Sequence, residues 1–225
     1  MKLLLIEDEK ALATSIQNYF QRENFICEWA ADYETAIEKI NIYRYDCVLV
    51  DIMLPDGDGL SAVRELKKKS PETGIIIISA KNSLDDRISG LNMGSDDYLT
   101  KPFHLSELNA RVQAVIRRRN FQGNQRISFG KINIDPQEHF VTVEGHEIIL
   151  TRKEYDLLIY MIANKNRVLT KESIAEHLWG DDADLMDNFD FIYTHIKNLR
   201  KKLMDKGSPD YLKSIYGVGY KFSEA

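Results

Sequence analysis

Asp51 ends a short apolar run and is followed by a loop that contains Pro55 and two glycines. The run, residues 47–50, is typical of a strand buried on both faces of a parallel sheet. Ligands of open α/β sheets bind at the carboxyl ends of the strands, so Asp51 could be half-buried there and still reach a ligand. A single acid at a strand end is more often a helix cap or a solvated turn residue, so the other strand ends must decide its role.

Three further apolar runs also end in polar side chains. These are Glu7 and Asp8 after residues 3–6, Ser79 after residues 75–78, and Lys101 after residues 97–100. Glu7, Asp8 and Asp51 would form an acidic cluster, in which like charges repel one another unless a cation lies among them. An all-oxygen cluster with room for water suits Mg²⁺. Lys101 and Ser79 would bind the oxygens of an anionic phosphoryl group on Asp51. Because no Gly-rich phosphate loop accompanies these residues, a bound nucleotide is not implied.

Segments of helix length separate the apolar runs, and this alternation predicts five β/α units over residues 1–119. The predicted strands are residues 2–6, 25–30, 46–51, 75–79 and 97–100, and the predicted helices are residues 10–22, 33–42, 59–69, 84–93 and 104–119. Helices between parallel strands, with right-handed crossovers, make a doubly wound five-stranded parallel sheet. The predicted fold class of this part is therefore α/β.

The composition sets limits on the class of protein. The chain has 225 residues, enough for one or two domains, and its net charge of -5 argues against binding a polyanion over its whole surface. No apolar run reaches the roughly 18 residues of a membrane helix, and no signal peptide is expected, since residues 3–6 lead directly into acids. Cys27 and Cys47 lie in apolar sequence, which favours reduced, buried thiols, a cytoplasmic location and no membrane partner.

A polar segment, residues 120–126, predicts a linker, and residues 127–225 predict a second domain of different pattern. The predicted strands are residues 127–134, 139–143 and 147–150, the predicted helices are residues 152–164, 171–179 and 188–205, and a hairpin is predicted at residues 212–215 and 220–222. Thr151 and Glu154 have the spacing of a capping box for the first of these helices. Three helices between strands and a terminal hairpin follow the order of a winged helix-turn-helix domain.

The third helix of this domain concentrates positive charge. Its predicted buried stripe is Ile192, Ile196, Leu199 and Leu203, and its opposite face carries Thr194, Lys197, Asn198, Arg200 and Lys201. A basic helix face is more often only solvated. Asn and Arg side chains can read base edges, however, and the recognition helix of a helix-turn-helix enters the major groove. Double-stranded DNA is therefore the predicted partner.

Residues 1–119 resemble the receiver domain of a two-component response regulator. The motifs that carry the resemblance, in the family's order, are Glu7-Asp8, Asp51, Ser79-Ala80, Asp96-Asp97-Tyr98 and Lys101-Pro102-Phe103. The resemblance implies that a sensor histidine kinase phosphorylates Asp51, and that Mg²⁺ is held by Glu7, Asp8, Asp51 and the Met53 carbonyl. It also implies that Ser79 and Lys101 bind the phosphoryl oxygens, and that Tyr98 is the switch residue that turns inward after Ser79 moves.

Residues 127–225 are similar to the DNA-binding domain of the OmpR/PhoB family. The matching motifs are Leu150-Thr151, Glu154-Tyr155-Asp156-Leu157-Leu158, Val168-Leu169-Thr170-Lys171, Leu178-Trp179, His195-Ile196, Leu199-Arg200-Lys201-Lys202-Leu203 and Gly217-Val218-Gly219-Tyr220. The DNA contacts that this resemblance implies are made by Thr194, His195, Lys197, Asn198, Arg200, Lys201, Gly217 and Tyr220.

Two departures from the family pattern affect the expected contacts with the operator, the DNA sequence that the protein recognises. Ile192-Tyr193-Thr194 stands where the family has Val-Asp-Val, which changes the residues at the start of the recognition helix. Tyr216 stands where the family has Arg before the hairpin glycine, which weakens the expected contact of the wing with the minor groove.

Receivers of this family dimerise on activation through the face made by the fourth helix, the fifth strand and the fifth helix. The matching residues are Arg87 with Glu107, Asp97 with Arg111, and Asp96 with Arg118, around Ile88, Leu91 and Ala110. Each exposed ion pair contributes only about 0–1 kcal/mol, so the apolar residues should supply most of the affinity. A homodimer would place two basic helices on two half-sites, and RNA polymerase is a further candidate partner.

The predicted function is a phosphorylation-controlled transcriptional regulator, not an enzyme. A Mg²⁺-dependent phosphohydrolase with Asp51 as nucleophile is the main alternative, but such enzymes carry a general acid two residues later, where this chain has Met53. A constitutively dimeric regulator that is never phosphorylated is the other alternative, and the complete set of pocket residues argues against it.

Overall fold

The structure is a computed structural model and describes residues 1–81, 83–121, 123, 126–136, 138–180 and 189–224. The chain divides into two compact units, Met1–Gly123 and Asn124–Ala225. The first unit is built on one parallel sheet, and the second has two smaller antiparallel sheets with helices between them.

Strands and helices alternate through the described part of the first unit. The strands are β1 (Lys2–Ile6), β2 (Ile26–Ala30), β3 (Cys47–Asp51), β4 (Gly74–Ser79) and β5 (Asp97–Thr100). The helices are α1 (Lys10–Arg22), α2 (Tyr33–Ile42), α3 (Gly59–Lys69), α4 (Leu84–Asn92) and α5 (Leu105–Phe121). All the strands are parallel, in the order β2-β1-β3-β4-β5. The predicted doubly wound sheet is confirmed, and the carboxyl ends of β1, β3, β4 and β5 lie along one edge.

The two faces of this sheet bury separate apolar clusters. Successive side chains of a strand point to opposite faces, so Leu5 and Leu49 pack with α1 and α5, whereas Leu4 and Val50 pack with α2 and α3. Because both faces are covered, β1, β3 and β4 are buried along their whole length, which explains the apolar runs at residues 3–6, 47–50 and 75–78.

Helix α5 extends two residues beyond its predicted end. Phe121 is 8% exposed and anchors the last turn. Gly123 follows in the left-handed region at a φ of 78° and donates to the Arg117 carbonyl, which ends the helix. The segment predicted as a linker, residues 120–126, therefore begins inside α5. The polar run before Phe121 concealed the apolar residue that fixes the helix end.

The second unit begins with a four-stranded antiparallel sheet and ends in a three-stranded one. The first sheet contains β6 (Ile127–Phe129), β7 (Ile132–Asp135), β8 (Phe140–Val143) and β9 (His146–Glu147). The elements that follow are α6 (Arg152–Ala163), β10 (Val168–Thr170), α7 (Lys171–Trp179), α8 (Asp190–Met204), β11 (Leu212–Ile215) and β12 (Gly219–Phe222). The last sheet has the order β10-β12-β11, so the terminal hairpin of β11 and β12 pairs with β10, the strand that precedes α7.

Two details of the strand prediction were wrong. The predicted strand 127–134 is two strands joined at Gly130, which has a φ of 52°. A Cβ there would lie 2.1 Å from the Tyr211 hydroxyl, so the turn requires glycine. Of the predicted strand 147–150, only Glu147 lies in a strand, as the second residue of β9. In addition, β10 was missed, because three residues are too few to show a period.

The predicted capping box of α6 is confirmed. Thr151 Oγ1 accepts a hydrogen bond from the Glu154 amide at 3.4 Å, and Glu154 Oε2 accepts one from the Thr151 amide at 2.7 Å. Glu154 Oε2 also lies 2.6 Å from Lys202 Nζ, so the cap joins α6 to α8. The predicted start of α8, at residue 188, lies outside the described residues.

Two global features concern membrane spans and thiols. Within the described residues, no helix combines the length and the apolar character that a membrane crossing needs. Cys27 and Cys47 are free thiols. Burial raises the pKa of Cys27 to about 12 and also raises the pKa of Cys47, so neither forms a reactive thiolate at neutral pH.

Candidate functional site

Three carboxylates meet at the carboxyl edge of the parallel sheet. Asp51 ends β3 and is 4% exposed, Glu7 follows β1 and is fully buried, and the adjacent Asp8 is exposed. Each contributes an oxygen atom, and these atoms all lie within 4.8 Å of one another. The loop after Asp51 folds back closely, since a Cβ at Gly59 would lie 1.9 Å from the Asp51 carbonyl oxygen. The fold thus assembles the predicted acidic cluster.

Lys101 bridges two of these carboxylates. Its Nζ lies 2.6 Å from Asp51 Oδ2, and 2.8 and 2.7 Å from the two Glu7 oxygens. Burial raises the pKa of Glu7 above its ordinary value, although the hydrogen bond and charge of Lys101 act against it. Burial would lower the pKa of Lys101, but its bonds to Asp51 and Glu7 outweigh this effect and raise it. Lys101 is therefore a cation held beside a nearly buried carboxylate.

Ser79 and Tyr98 both form hydrogen bonds with Lys81, two residues after the end of β4. The Ser79 hydroxyl is buried and accepts a hydrogen bond from the Lys81 amide at 3.2 Å. The Tyr98 hydroxyl donates to the Lys81 carbonyl at 2.9 Å, and the ring is 8% exposed. Burial raises the pKa of Tyr98. Ser79 and Tyr98 are therefore connected through Lys81.

Helix α8 presents one apolar and one polar face. Ile192, Ile196, Leu199 and Leu203 are buried, which confirms the predicted stripe. Thr194, Lys197, Asn198 and Lys201 are exposed on the other side. The polar face therefore offers hydrogen-bonding groups and positive charge to solvent, which is what a helix needs to enter a DNA groove.

Each of the two units matches a known protein family. Residues 3–113 match the family described as "Response regulator receiver domain", and residues 145–222 match "Transcriptional regulatory protein, C terminal". The response regulator ArlR of Staphylococcus saprophyticus is 38% identical over 219 residues, with 97% of each chain covered. ArlR of Staphylococcus aureus is 36% identical over 219 residues, covering 97% of this chain and 98% of the relative.

The chain belongs to the response regulators of the OmpR/PhoB type. Among solved structures, the receiver domain of the Francisella response regulator 1452 is 39% identical with a TM-score of 0.50, covering 52% of this chain and 97% of that one. This response regulator is a phosphorylation-controlled transcriptional regulator of a two-component system, as its two matched domains and its ArlR relatives show. Such a regulator has a cognate histidine kinase and binds DNA.

Three of the residues expected to contact DNA are not free on the surface of this response regulator. Tyr220 is buried, and burial lowers the pKa of His195, whose ring lies 5.5 Å from that of Trp179. Arg200 donates from Nε to Asp210 Oδ1 at 3.1 Å and from Nη2 to the Leu212 carbonyl. Gly217 lies at the exposed tip of the wing. The structure thus separates an exposed group on α8 from residues engaged within the domain.

The residues of the expected dimer face are also partly engaged within the receiver. Arg111 lies 2.8 Å from both Asp97 and Glu107, and Asp96 pairs with Arg119 Nε at 2.7 Å. The Arg118 guanidinium reaches the Asp96 carbonyl oxygen at 3.3 Å, not its carboxylate. Arg87 and Ala110 are exposed, and Ile88 and Leu91 are each 46% exposed. The apolar residues of this face are therefore accessible, whereas several of its charges already have partners.

Two residues near the pocket of the response regulator were missed from the sequence. Asp56 accepts hydrogen bonds from the Tyr33 and Glu34 amides at 2.7 and 3.0 Å, which fixes the loop after Asp51 to the start of α2. The Trp29 indole donates to the Glu7 carbonyl at 2.7 Å and supports the acidic cluster from β2. An Asp before a glycine indicates a turn but not a distant partner, so no local signal marked either contact.

Proposed function

We propose that Asp51 accepts a phosphoryl group from a phosphohistidine of the cognate sensor kinase. An Asp51 carboxylate oxygen would attack phosphorus, so that a P–O bond forms while the P–N bond breaks and its electron pair returns to the imidazole. The observation that carries the proposal is the position of Lys101 Nζ, 2.6 Å from Asp51 Oδ2 at the open edge of the sheet. A fixed cation at that place stabilises negative charge that develops on the transferred group.

Ser79 and Tyr98 would convert phosphorylation into a change of shape. A phosphoryl group on Asp51 would add oxygens that attract the Ser79 hydroxyl. Ser79 and Tyr98 both hydrogen-bond to Lys81, which supports a coupling between them. Movement of Ser79 would break the hydrogen bond that it accepts from the Lys81 amide, and Tyr98 would then shift toward the space that Ser79 leaves. Because Tyr98 lies on β5, between α4 and α5, the change would reach the expected dimer face.

Glu7, Asp8 and Asp51 fit a Mg²⁺ ion. Their oxygens are of the hard type that Mg²⁺ prefers, and Asp8 is exposed, which leaves room for water ligands. Glu7 is fully buried, and one lysine is shared between it and Asp51, so the cluster has more acidic groups than nearby cations. The Met53 carbonyl is the expected fourth protein ligand. When bound, Mg²⁺ would supply positive charge to the phosphoryl oxygens.

The residue two positions after Asp51 supports a regulator over a phosphohydrolase. The Met53 thioether has no proton to donate to a leaving group, and its side chain is half exposed. Hydrolysis of small phosphate esters would lack the general acid that such enzymes use. The pocket residues, all of which the fold brings to one edge, also count against a regulator that is never phosphorylated.

The activated receiver would form a homodimer that brings two copies of α8 to DNA. Ile88 and Leu91 offer an accessible apolar contact, and the exposed polar face of α8 would enter the major groove of each half-site. RNA polymerase would be a partner of the promoter-bound dimer.

Chemical trapping tests the acceptor directly. The full chain would be treated with acetyl phosphate and Mg²⁺, then reduced with borohydride, which converts an aspartyl phosphate to homoserine. We expect homoserine at position 51 by mass spectrometry of peptides, and none at the neighbouring acids Asp8, Asp56 and Asp58. Homoserine at another position, or none at all, would contradict the assignment of Asp51.

Two substitutions on α8 separate affinity from sequence reading. Lys197→Ala should weaken binding about equally on all DNA sequences and lower the salt slope by roughly one, because a phosphate contact is lost. Asn198→Ala should instead change the preferred sequence, since an amide can pair with an adenine edge. Binding to selected and random DNA across a salt series measures both effects. Equal losses on both DNAs for Asn198→Ala would show that Asn198 reads no base.

A further inference from the structure

We infer that Arg200 is a positioning residue that fastens the wing to α8, and that it does not read DNA. The wing is the hairpin of β11 and β12 with the turn between them. The inference rests on the proposed DNA-binding role of α8, and it assigns Arg200 a different role from its exposed neighbours on that helix.

The guanidinium of Arg200 spans the gap between the helix and the wing. Nε binds the Asp210 carboxylate at 3.1 Å, and Nη2 binds the Leu212 carbonyl. Asp210 lies in the connection that leaves α8, and Leu212 begins β11, an edge strand of the three-stranded sheet. Because a guanidinium is planar, two bonds to different parts of the chain fix an orientation as well as a distance.

The surroundings of Arg200 differ from those of the exposed basic residues. Its side chain is 30% exposed, whereas Lys197 and Lys201 belong to the exposed face. Its charge also acts on Tyr220, a buried residue of β12, whose pKa burial raises and Arg200 lowers. Arg200 therefore contacts one strand of the wing and lies near the other. To reach a phosphate it would have to break the bonds that hold the hairpin against α8.

Substitution of Asp210 tests the inference, because the two possible roles of Asp210 predict opposite changes in DNA-binding affinity. Asp210 is an acid in a domain that binds a polyanion, so on charge alone Asp210→Asn should strengthen DNA binding. As an anchor of Arg200, the same substitution should weaken it. We expect about a fivefold loss of affinity, the size of one exposed ion pair, or about 1 kcal/mol. The salt slope should not change, because no phosphate contact is removed.

The measurement uses the full chain with beryllofluoride and Mg²⁺, on an operator selected from random DNA by the wild-type protein. Asp205→Asn is the matched control, because Asp205 is an exposed acid at the C-terminal end of α8 and the described residues show no partner for its side chain. It should bind as tightly as wild type, or more tightly. Arg200→Lys keeps the charge but not the planar fork, and it should lose about as much affinity as Asp210→Asn.

Two further measurements distinguish loss of the contact between Arg200 and the wing from a general destabilisation of the domain. Adding Asp210→Asn to Arg200→Lys should cause little further loss, since both changes remove one interaction. Hydroxyl-radical footprints of Asp210→Asn should lose protection under the wing and keep it under α8. Asp210→Asn binding that equals or exceeds wild type would overturn the inference, and so would a footprint weakened evenly along the site. The proposed function fails separately, if wild type selects no operator or if Lys197→Ala has no effect.

Discussion

Asp51→Asn is expected to abolish labelling of the chain by acetyl phosphate in the presence of Mg²⁺. The amide has nearly the same volume as the carboxylate, but it is not a nucleophile toward phosphorus at neutral pH. The fold should survive, because an asparagine oxygen can still accept the hydrogen bond that the Met53 amide donates to Asp51 Oδ1 at 3.0 Å. Incorporation of labelled phosphate, counted per chain, measures the effect.

A matched substitution in the same loop gives the control. Asp58 is exposed, and its side chain caps α3 by accepting from the Leu60 amide at 3.1 Å. Asparagine is an equally good cap, so Asp58→Asn should be labelled as fully as the wild-type chain. Full labelling of Asp51→Asn would show that another side chain is the acceptor, and that the contacts of Lys101 with Asp51 serve stability alone.

The receiver pocket could be predicted because each of its parts ends an apolar run. Asp51, Ser79 and Lys101 are at or next to strand ends, and parallel strands bring such ends to one edge whatever the details of packing. What the sequence could not specify is which groups touch. Lys101 contacts both Asp51 and Glu7, and a choice between one partner and two depends on distances that only the folded sheet sets.

The second unit shows where local patterns are insufficient. The pattern of α8 predicted its buried stripe, since four apolar residues at helical spacing are enough to define a face. The same pattern placed Arg200 with the DNA-facing residues. Helical periodicity predicts which side of α8 a residue lies on, but it does not predict that Asp210 and Leu212, later in the chain, will contact Arg200. Gly130 was missed as a turn for a similar reason, as the Tyr211 hydroxyl that requires it lies 81 residues later.

Leu91→Asp should keep the activated chain monomeric. Leu84, Ile88 and Leu91 are 64%, 46% and 46% exposed and follow one another at helical spacing on α4, so they form an accessible apolar strip. A dimer through this strip would bury the introduced carboxylate without a partner, which costs about 3 kcal/mol, a factor of more than a hundred in affinity. Phosphorylation should persist, because Leu91 lies near the end of α4 and takes no part in the acidic pocket. Sedimentation with beryllofluoride and Mg²⁺ measures the assembly.

Ile42→Asp is the matched control for this experiment. Ile42 is 70% exposed at the end of α2, a helix outside the expected dimer face, so an acid there should leave dimerisation unchanged. The affinity of Leu91→Asp for a two-half-site operator should fall toward that for a single half-site, while Ile42→Asp binds as wild type does. If activated Leu91→Asp dimerises normally, the interface lies on another face. The bonds of Arg111 to Asp97 and Glu107 would then be internal supports of α5, with no exchange of partners between two receivers.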